Sequence, residues 1–515
     1  MIARLLRFVL SIPSQWWFFI LWAIFFISFQ QYKAITQEPF GIHQGAQADR
    51  ASIAYNFYKK NANPLKPRVM ETVSSDGVCG TEFPLISYPA SLLFRAFGYH
   101  AFWHRIVVFL LLTFGAFAAW SLISIFIQKL VWRIVHMLLW SCTPILAFYG
   151  VSVLPDAAAL GFVFMAWYFF FEYYYKTNNT KQLLGSMLLF AAAGLLKPTF
   201  LLGVGVIWGL VFLQRFSAKD FQIKSAKGLL FSLIPITLSI AWVLYARDLS
   251  QSTYNFHFLQ QATLPNSLNE FIPNNRDAFG AWSESFYGQR GTFIILIGLL
   301  IPLFRKGPEE FEILRFISIL YALASVFNLL LFNVQYRYHD YYFLQYIPYI
   351  FFASAYLIAS KIQNRRGLFV GITAAAMPII LIVFSVQNFG QTRQLMERRL
   401  TPGDYYYQDV HVGSELLRKI APEIQAIIPE DKNVIIAWDP SPNTMLFLIK
   451  RYGERWPGWE SDFDKERMSS TANNSKYSYI LVNDIKQFTE FSKPLINRKI
   501  SLEYHKGIWY LYKLD

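Results

Sequence analysis

The apolar residues of this chain are gathered into blocks close to the thickness of a lipid bilayer, and that most constrains its fold. A hydrocarbon core about 30 Å thick is crossed by roughly 20 helical residues. Blocks near that length run over 8–29, 103–127, 133–150, 155–174, 182–196, 199–216, 228–246, 291–304, 313–333, 341–359 and 367–387. Inside lipid every backbone polar group needs an internal partner, so such blocks become helices. The expectation is an all-α polytopic membrane protein with about eleven transmembrane helices, two of them short.

Composition supports this. Of 515 residues 54% are hydrophobic and 16% charged, against roughly 25% charged in soluble domains. Much of the Tyr and Trp sits near block ends, as in interfacial belts. The net charge of +14 would suggest nucleic acid in a soluble protein. Here most Lys and Arg lie in short connectors, where they set topology and meet lipid headgroups. No basic helix or recognition motif stands apart from the spans, so a nucleic-acid partner is excluded. Cys79 and Cys142 make no disulfide framework. Arg4 and Arg7 precede a long apolar stretch with no small-residue cleavage site, which reads as a retained first span.

The connectors orient the chain. With the N-terminus inside, the cytoplasmic ones hold Lys129 and Arg133; Lys176 and Lys181; Arg215, Lys219, Lys224 and Lys227; Arg305, Lys306 and Arg315; and Lys361, Arg365 and Arg366. A membrane domain over 1–390 then carries two outer loops, 30–102 and 247–290, and a soluble α/β domain over 391–515 lies outside. The first loop has amphipathic runs at 47–60 and 84–97, suited to the membrane surface. The second is polar, with Pro265 and Pro273. The tail has strand-like runs from Val434 to Trp438, Tyr479 to Val482 and Trp509 to Lys513, and a helix-like run after Pro442.

Ionisable residues at membrane depth are costly and default to a functional reading. Asp49, Glu82, Asp156, Lys197, Arg337, His339 and Asp340 all fall at outer ends of spans or in the first loop under this topology. Each has a structural alternative. Asp49 suits a helix N-terminus, Asp156 a cap after Pro155, and Glu82 an interface carboxylate. Lys197 could snorkel, Arg337 pair with Asp340, and His339 be a neutral hydrogen-bonded ring. Arg105 and Arg290 read as structural first.

Five stretches carry a resemblance: GIHQGAQADRASIAYNFYKKN, EFPLISYPASLLFRAFGYHAFWHR, LPDAAALGFVFMAWYF, GLLKPTFLLG and RYHDYYFLQYIPYI. In this order they resemble the motifs of the GT-C glycosyltransferases. The nearest group is family 39, with the protein O-mannosyltransferases and lipid A aminoarabinose transferases. The resemblance implies a polyprenyl-phosphate sugar donor and an inverting single displacement. It implies Asp49 as general base and Asp156 as an auxiliary or acceptor-positioning acid. Lys197, Arg337 and His339 would bind the donor phosphate, and Arg50, Glu82, Tyr88, Asp340 and Tyr341 substrate. Two departures stand out. Asp49-Arg50 replaces two adjacent acids, and Arg50 could ion-pair with Asp49 and weaken it as a base. Glu82 stands where the aminoarabinose transferases carry Lys; it can hold a sugar hydroxyl or a metal, but not a phosphate.

Glu82, His43, His104, His257 and His339 show no tight ligand spacing. Some related enzymes use a divalent metal ion, and no motif here carries one over. Gly203, Gly205 and Gly209 lie inside an apolar span and read as helix packing. No soluble segment opens with a nucleotide-binding glycine motif. The expected partners are the lipid-phosphate sugar, membrane lipids and an acceptor hydroxyl on lipid, glycan or protein. The expected location is a bacterial inner membrane with the site facing the periplasm. The rival is a multispan transporter or lipid flippase, which would favour internal repeats and midplane broken helices.

Overall fold

The computed structural model describes residues 13–72, 76–177, 179–216, 226–253, 267–363, 372–407, 413–456 and 462–515. Arg4, Arg7, Lys219, Lys224, His257, Pro265, Arg365 and Arg366 lie outside the described residues. The chain divides into two compact units, a helical unit of Met1–Ile35, Val108–Ala241 and Gln260–Arg398, and a sheet unit of Thr36–Val107, Trp242–Leu259 and Arg399–Asp515.

Each apolar block holds a helix, but not each is a full span. Among the described residues five helices are long and apolar enough to cross a membrane: Ala101–Ile123, Asp156–Tyr175, Leu230–Thr253, Glu309–Leu331 and Asp340–Ser360. The pair Asn269–Tyr287 and Arg290–Phe304, bent by 86°, could make a sixth. Ser14–Ser28, Leu130–Ser141, Thr180–Leu196 and Pro198–Leu213 are apolar but shorter. Among the described residues the expected count of eleven full spans is therefore not confirmed.

The breaks have local causes. In block 133–150 Thr143 is extended, its side chain accepts the Leu146 N–H, and Pro144 starts a second helix, Pro144–Tyr149. A Ser/Thr cap with proline at the first helical position is a strong helix start. Between 182–196 and 199–216, Pro198 forces its predecessor out of the helical region. Lys197 is accordingly extended, with φ −159° and ψ 113°. The region 247–290, expected as a polar loop, instead contains the helix Leu268–Tyr287 with Pro273 inside it. Its buried face includes Ala278, Trp282 and Phe286.

Small residues set helix approach in the helical unit. A Cβ on Gly115 would strike Gly161, and one on Gly161 would strike the backbone of Leu111. The Gly203–Gly209 run is also packing: side chains there would meet Phe190 and Leu320. Gly161→Ala should therefore cost about 1–3 kcal/mol by overpacking. Gly205→Ala, where a Cβ meets nothing within 4 Å, should be neutral or mildly stabilising. Thermal unfolding of the two variants in detergent checks this contrast.

The sheet unit is built on five strands: β1 Asn433–Ala437, β2 Gly453–Trp456, β3 Tyr477–Val482, β4 Ile500–Lys506 and β5 Trp509–Leu514. Their order is β2-β1-β3-β5-β4, with β2, β1 and β3 parallel and β5 antiparallel to both neighbours. Side chains alternate across β1, as strand geometry requires. Val434 and Ile436 join a core with Leu417, Ile420 and Ile424 of the helix Ser414–Ile427. Ile435 and Ala437 face Met468, Ala472 and Phe488.

The first loop belongs to this same core. Ala48, Ala51 and Tyr55 of the helix Gln44–Lys59 pack into the Val434–Ile436 cluster. That helix is buried along most of its length, so it lacks the broad exposed face that an amphipathic reading suggests. The loop also covers the sheet edge. Glu71 forms a parallel bridge with Gly453, with hydrogen bonds from Thr72 N–H to Gly453 O (2.7 Å) and Gly453 N–H to Met70 O (3.2 Å). Covering an edge strand blocks its unpaired groups from other chains.

Candidate functional site

The ionisable residues singled out in the sequence fall into two clusters, one in each unit.

In the helical unit three distant segments converge. Asp156 opens the helix Asp156–Glu172, immediately after Pro155, and is 2% exposed. The Lys197 ammonium, held out by the helix break before Pro198, donates to Asp156 Oδ1. The same ammonium lies over the rings of Tyr342 (3.7 Å) and Tyr341 (4.6 Å). Tyr149 O–H donates to Asp340 Oδ1 at 2.5 Å, and its ring meets Tyr341 edge-on. His339 stacks on Tyr341 with centroids 5.1 Å apart. Gln345 Nε2 donates to Thr199 Oγ1 at 2.7 Å, so the segments 197–199 and 339–345 are stitched at two points. Lys197 therefore does not simply snorkel, and Asp156 pairs with its charge at the first turn of the helix.

Arg337 is turned elsewhere. It pairs with Asp277 at 3.2 Å, not with Asp340, and is 44% exposed. The helix Leu268–Tyr287 holds it, since Arg337 also donates to Asn274 Oδ1 (3.4 Å) and its carbonyl accepts from Trp282 Nε1 (3.1 Å). Of the three expected phosphate donors, Lys197 sits at the centre of the cluster and His339 beside it.

In the sheet unit Asp49 lies in the helix Gln44–Lys59 and is 8% exposed. Asn443 Nδ2 donates to Asp49 Oδ1 at 2.8 Å. Arg50 is only within 4.0 Å of Asp49. Its fork is directed at Glu82, with Nε to Oε1 at 2.7 Å and NH2 to Oε2 at 3.2 Å, a bidentate geometry that adds strength and direction. Thr81 also donates to Glu82 Oε2 at 2.8 Å. Burial pushes the Glu82 carboxyl up, but the Arg50 charge and these hydrogen bonds outweigh it and hold the group below its ordinary value. The resulting stabilisation is present above the unfolded carboxylate range and is lost as pH falls through the lowered value. Tyr88, expected to touch substrate, packs its ring on Phe57 beside Ile53, Val69 and Cys79. Arg105 is a clamp inside the unit, donating to Gln37 O, Glu38 O and Gln47 Oε1.

Among the described residues no three His, Cys, Asp or Glu side chains gather as metal ligands. Both Glu82 oxygens accept hydrogen bonds, from Arg50 and Thr81. Asn443, Tyr149, Tyr342 and Asp277 escaped the sequence reading. Tyr342 was within reach, as its ring follows the motif residues directly. Asn443 and Asp277 carried no local signal.

No protein-family model matches the sequence, and no curated protein matches it. Solved structures do. ArnT from Cupriavidus metallidurans bound to undecaprenyl phosphate is similar with a TM-score of 0.63 at 12% identity, over 97% of this chain and 98% of that one. The arabinofuranosyltransferase AftD from Mycobacteria matches with a TM-score of 0.56 at 12% identity, over 98% of this chain and 40% of that one. The oligosaccharyltransferase of Archaeoglobus fulgidus matches with a TM-score of 0.55 at 9% identity, over 90% and 69%. At such identities it is the fold that is shared.

Proposed function

We propose, from the premise that this chain has the fold of the GT-C glycosyltransferases, that it is a membrane glycosyltransferase using a polyprenyl-phosphate sugar. The observation that carries the reading is Lys197, a cation set on two tyrosine rings at a helix break and paired with a buried carboxylate. That arrangement suits the phosphate of a lipid-linked donor. In ArnT the bound lipid is undecaprenyl phosphate.

In the transfer as the family resemblance implies it, the acceptor hydroxyl gives its proton to the Asp49 carboxylate. Its oxygen bonds to the anomeric carbon, and the carbon–oxygen bond to phosphate breaks with inversion. The electron pair stays on the departing lipid phosphate, which Lys197 stabilises as charge develops. Asp156 holds Lys197 in place, and the tyrosine faces add cation–π attraction. His339, Tyr341 and Asp340 lie around this phosphate site, and Arg337 reaches it only by leaving Asp277. Arg50 and Glu82 brace the Asp49 helix. We place the reaction on the extracytoplasmic side of a bacterial inner membrane, with about eleven crossings when the short helices, the bent pair and the helix Ile372–Arg399 are counted.

The test supplies purified protein with radiolabelled undecaprenyl-phosphate pentose or hexose, together with membranes carrying endogenous acceptors. Release of undecaprenyl phosphate with label moved to an acceptor is expected. Movement of intact lipid across a vesicle without cleavage would replace this reading with the lipid-flippase one.

A further inference from the structure

We propose that Asn443 is a positioning residue for Asp49, so that the segment following β1 supplies a working part of the general base. This rests on the reading of Asp49 as the base.

Asn443 is fully buried and precedes the short helix Thr444–Leu448. Its Oδ1 accepts the Glu71 backbone N–H at 2.9 Å. A backbone N–H can only donate, so the amide oxygen must face it. The amide nitrogen is thereby turned to Asp49, whose Oδ1 accepts at 2.8 Å. The amide cannot flip without setting N–H against N–H and oxygen against carboxylate, so its direction is fixed by chemistry.

The loop that carries Asn443 is itself held. Asp439 is fully buried; its oxygens accept from Ser441 N (3.0 Å) and Met445 N (2.9 Å). Arg455 donates to the Asp439 carbonyl at 3.3 Å. A donor fixed in this way stabilises the carboxylate and sets the plane in which its lone pairs lie, as a base with one productive direction requires. Among the charged or titratable groups near Asp49 are Arg50 at 4.0 Å, with Glu82 on its fork, and the Cys79 thiol, while Glu71, which meets Asn443 through its backbone N–H, pairs with Arg455 at 3.7 Å. Arg50 is committed to Glu82, which leaves Asn443 the closer of these two partners of Asp49.

The experiment titrates the protein's carboxyl groups by infrared difference spectroscopy, with Asp49→Asn identifying the Asp49 band, and follows turnover against pH in the same samples. Asn443→Asp sets a second carboxyl at this contact. Two carboxylates so close share a proton. The Asp49 midpoint should rise by about one pH unit or more, and the acid limb of turnover should move with it. Asn443→Ala should raise the midpoint less and lower kcat about tenfold, with KM for undecaprenyl-phosphate sugar unchanged. A merely structural asparagine would lower stability without moving the midpoint. If Asn443→Asp does not fold, the Asn443→Ala midpoint decides. Unmoved midpoints with an inactive Asp49→Asn overturn this inference and leave the base reading standing. An active Asp49→Asn overturns both.

Discussion

Asp49→Asn is expected to abolish sugar transfer while the protein stays folded. General-base catalysis contributes about 10²–10⁴-fold, and an amide cannot take the acceptor proton. The change is isosteric, and the amide oxygen of the new residue can still accept the hydrogen bond that Asn443 donates at 2.8 Å. Arg50 keeps its partner, because its fork is on Glu82. A fall of at least a hundredfold in turnover, with unchanged thermal unfolding, is therefore the signature of a lost base and not of a lost fold. Wild-type turnover in the purified variant would remove Asp49 from that role.

The Lys197–Asp156 pair makes the second strong expectation. Asp156 is 2% exposed, and the Lys197 side chain 13%. Removing one member of a buried pair leaves the other charge uncompensated, at about 3–5 kcal/mol. Lys197→Met or Asp156→Asn alone should each lower stability by that order. Replacing both removes both charges, and such a swap is often neutral or stabilising. The double variant should thus recover thermal stability but not turnover, since no cation then meets the leaving phosphate. Detergent unfolding curves beside product assays separate the two effects. A double variant that transfers at the wild-type rate would show that Lys197 serves the fold alone.

Much of the helical cluster could be read from sequence because its parts are local. Proline before aspartate at the start of a span, and proline after lysine between two spans, impose backbone geometry by themselves. Asp156 and Lys197 therefore announced their positions, and Tyr341 stands beside His339 in one short motif. Span lengths were harder. Hydropathy sees 133–150 as one block, whereas the Thr143–Pro144 cap divides it. The helix Leu268–Tyr287 was hidden because its apolar residues are interleaved with charges and a proline.

In the sheet unit the central strands β1 and β3 were visible as apolar runs. The strand β2 was not, because GERW holds a glycine and two charges whose partners come from elsewhere. Glu454, for instance, is buried against Arg467, Thr471 and Tyr477. The strand β4 lies at the edge of the sheet, has no buried residue and lacks a buried pattern. Arg50 was expected to weaken its neighbour Asp49, but only tertiary structure could reveal that Glu82 draws it away. Asn443 belongs to the same class of surprise, since no periodicity links residues so far apart.

The covering of β2 by the first loop also bears on biosynthesis. Glu71 and Asn443, joined by a hydrogen bond, are 372 positions apart. At ribosomal speeds of about 5–20 residues per second, the early segment waits on the order of tens of seconds for its late partner. During that interval Ala48, Ala51 and Tyr55 have no β1 to rest on, and the nascent polypeptide must shelter them by other means. A premature stop before residue 433 would make that exposure permanent, so such a fragment should be a preferred substrate for quality-control proteolysis even with its hydrophobic helices inserted.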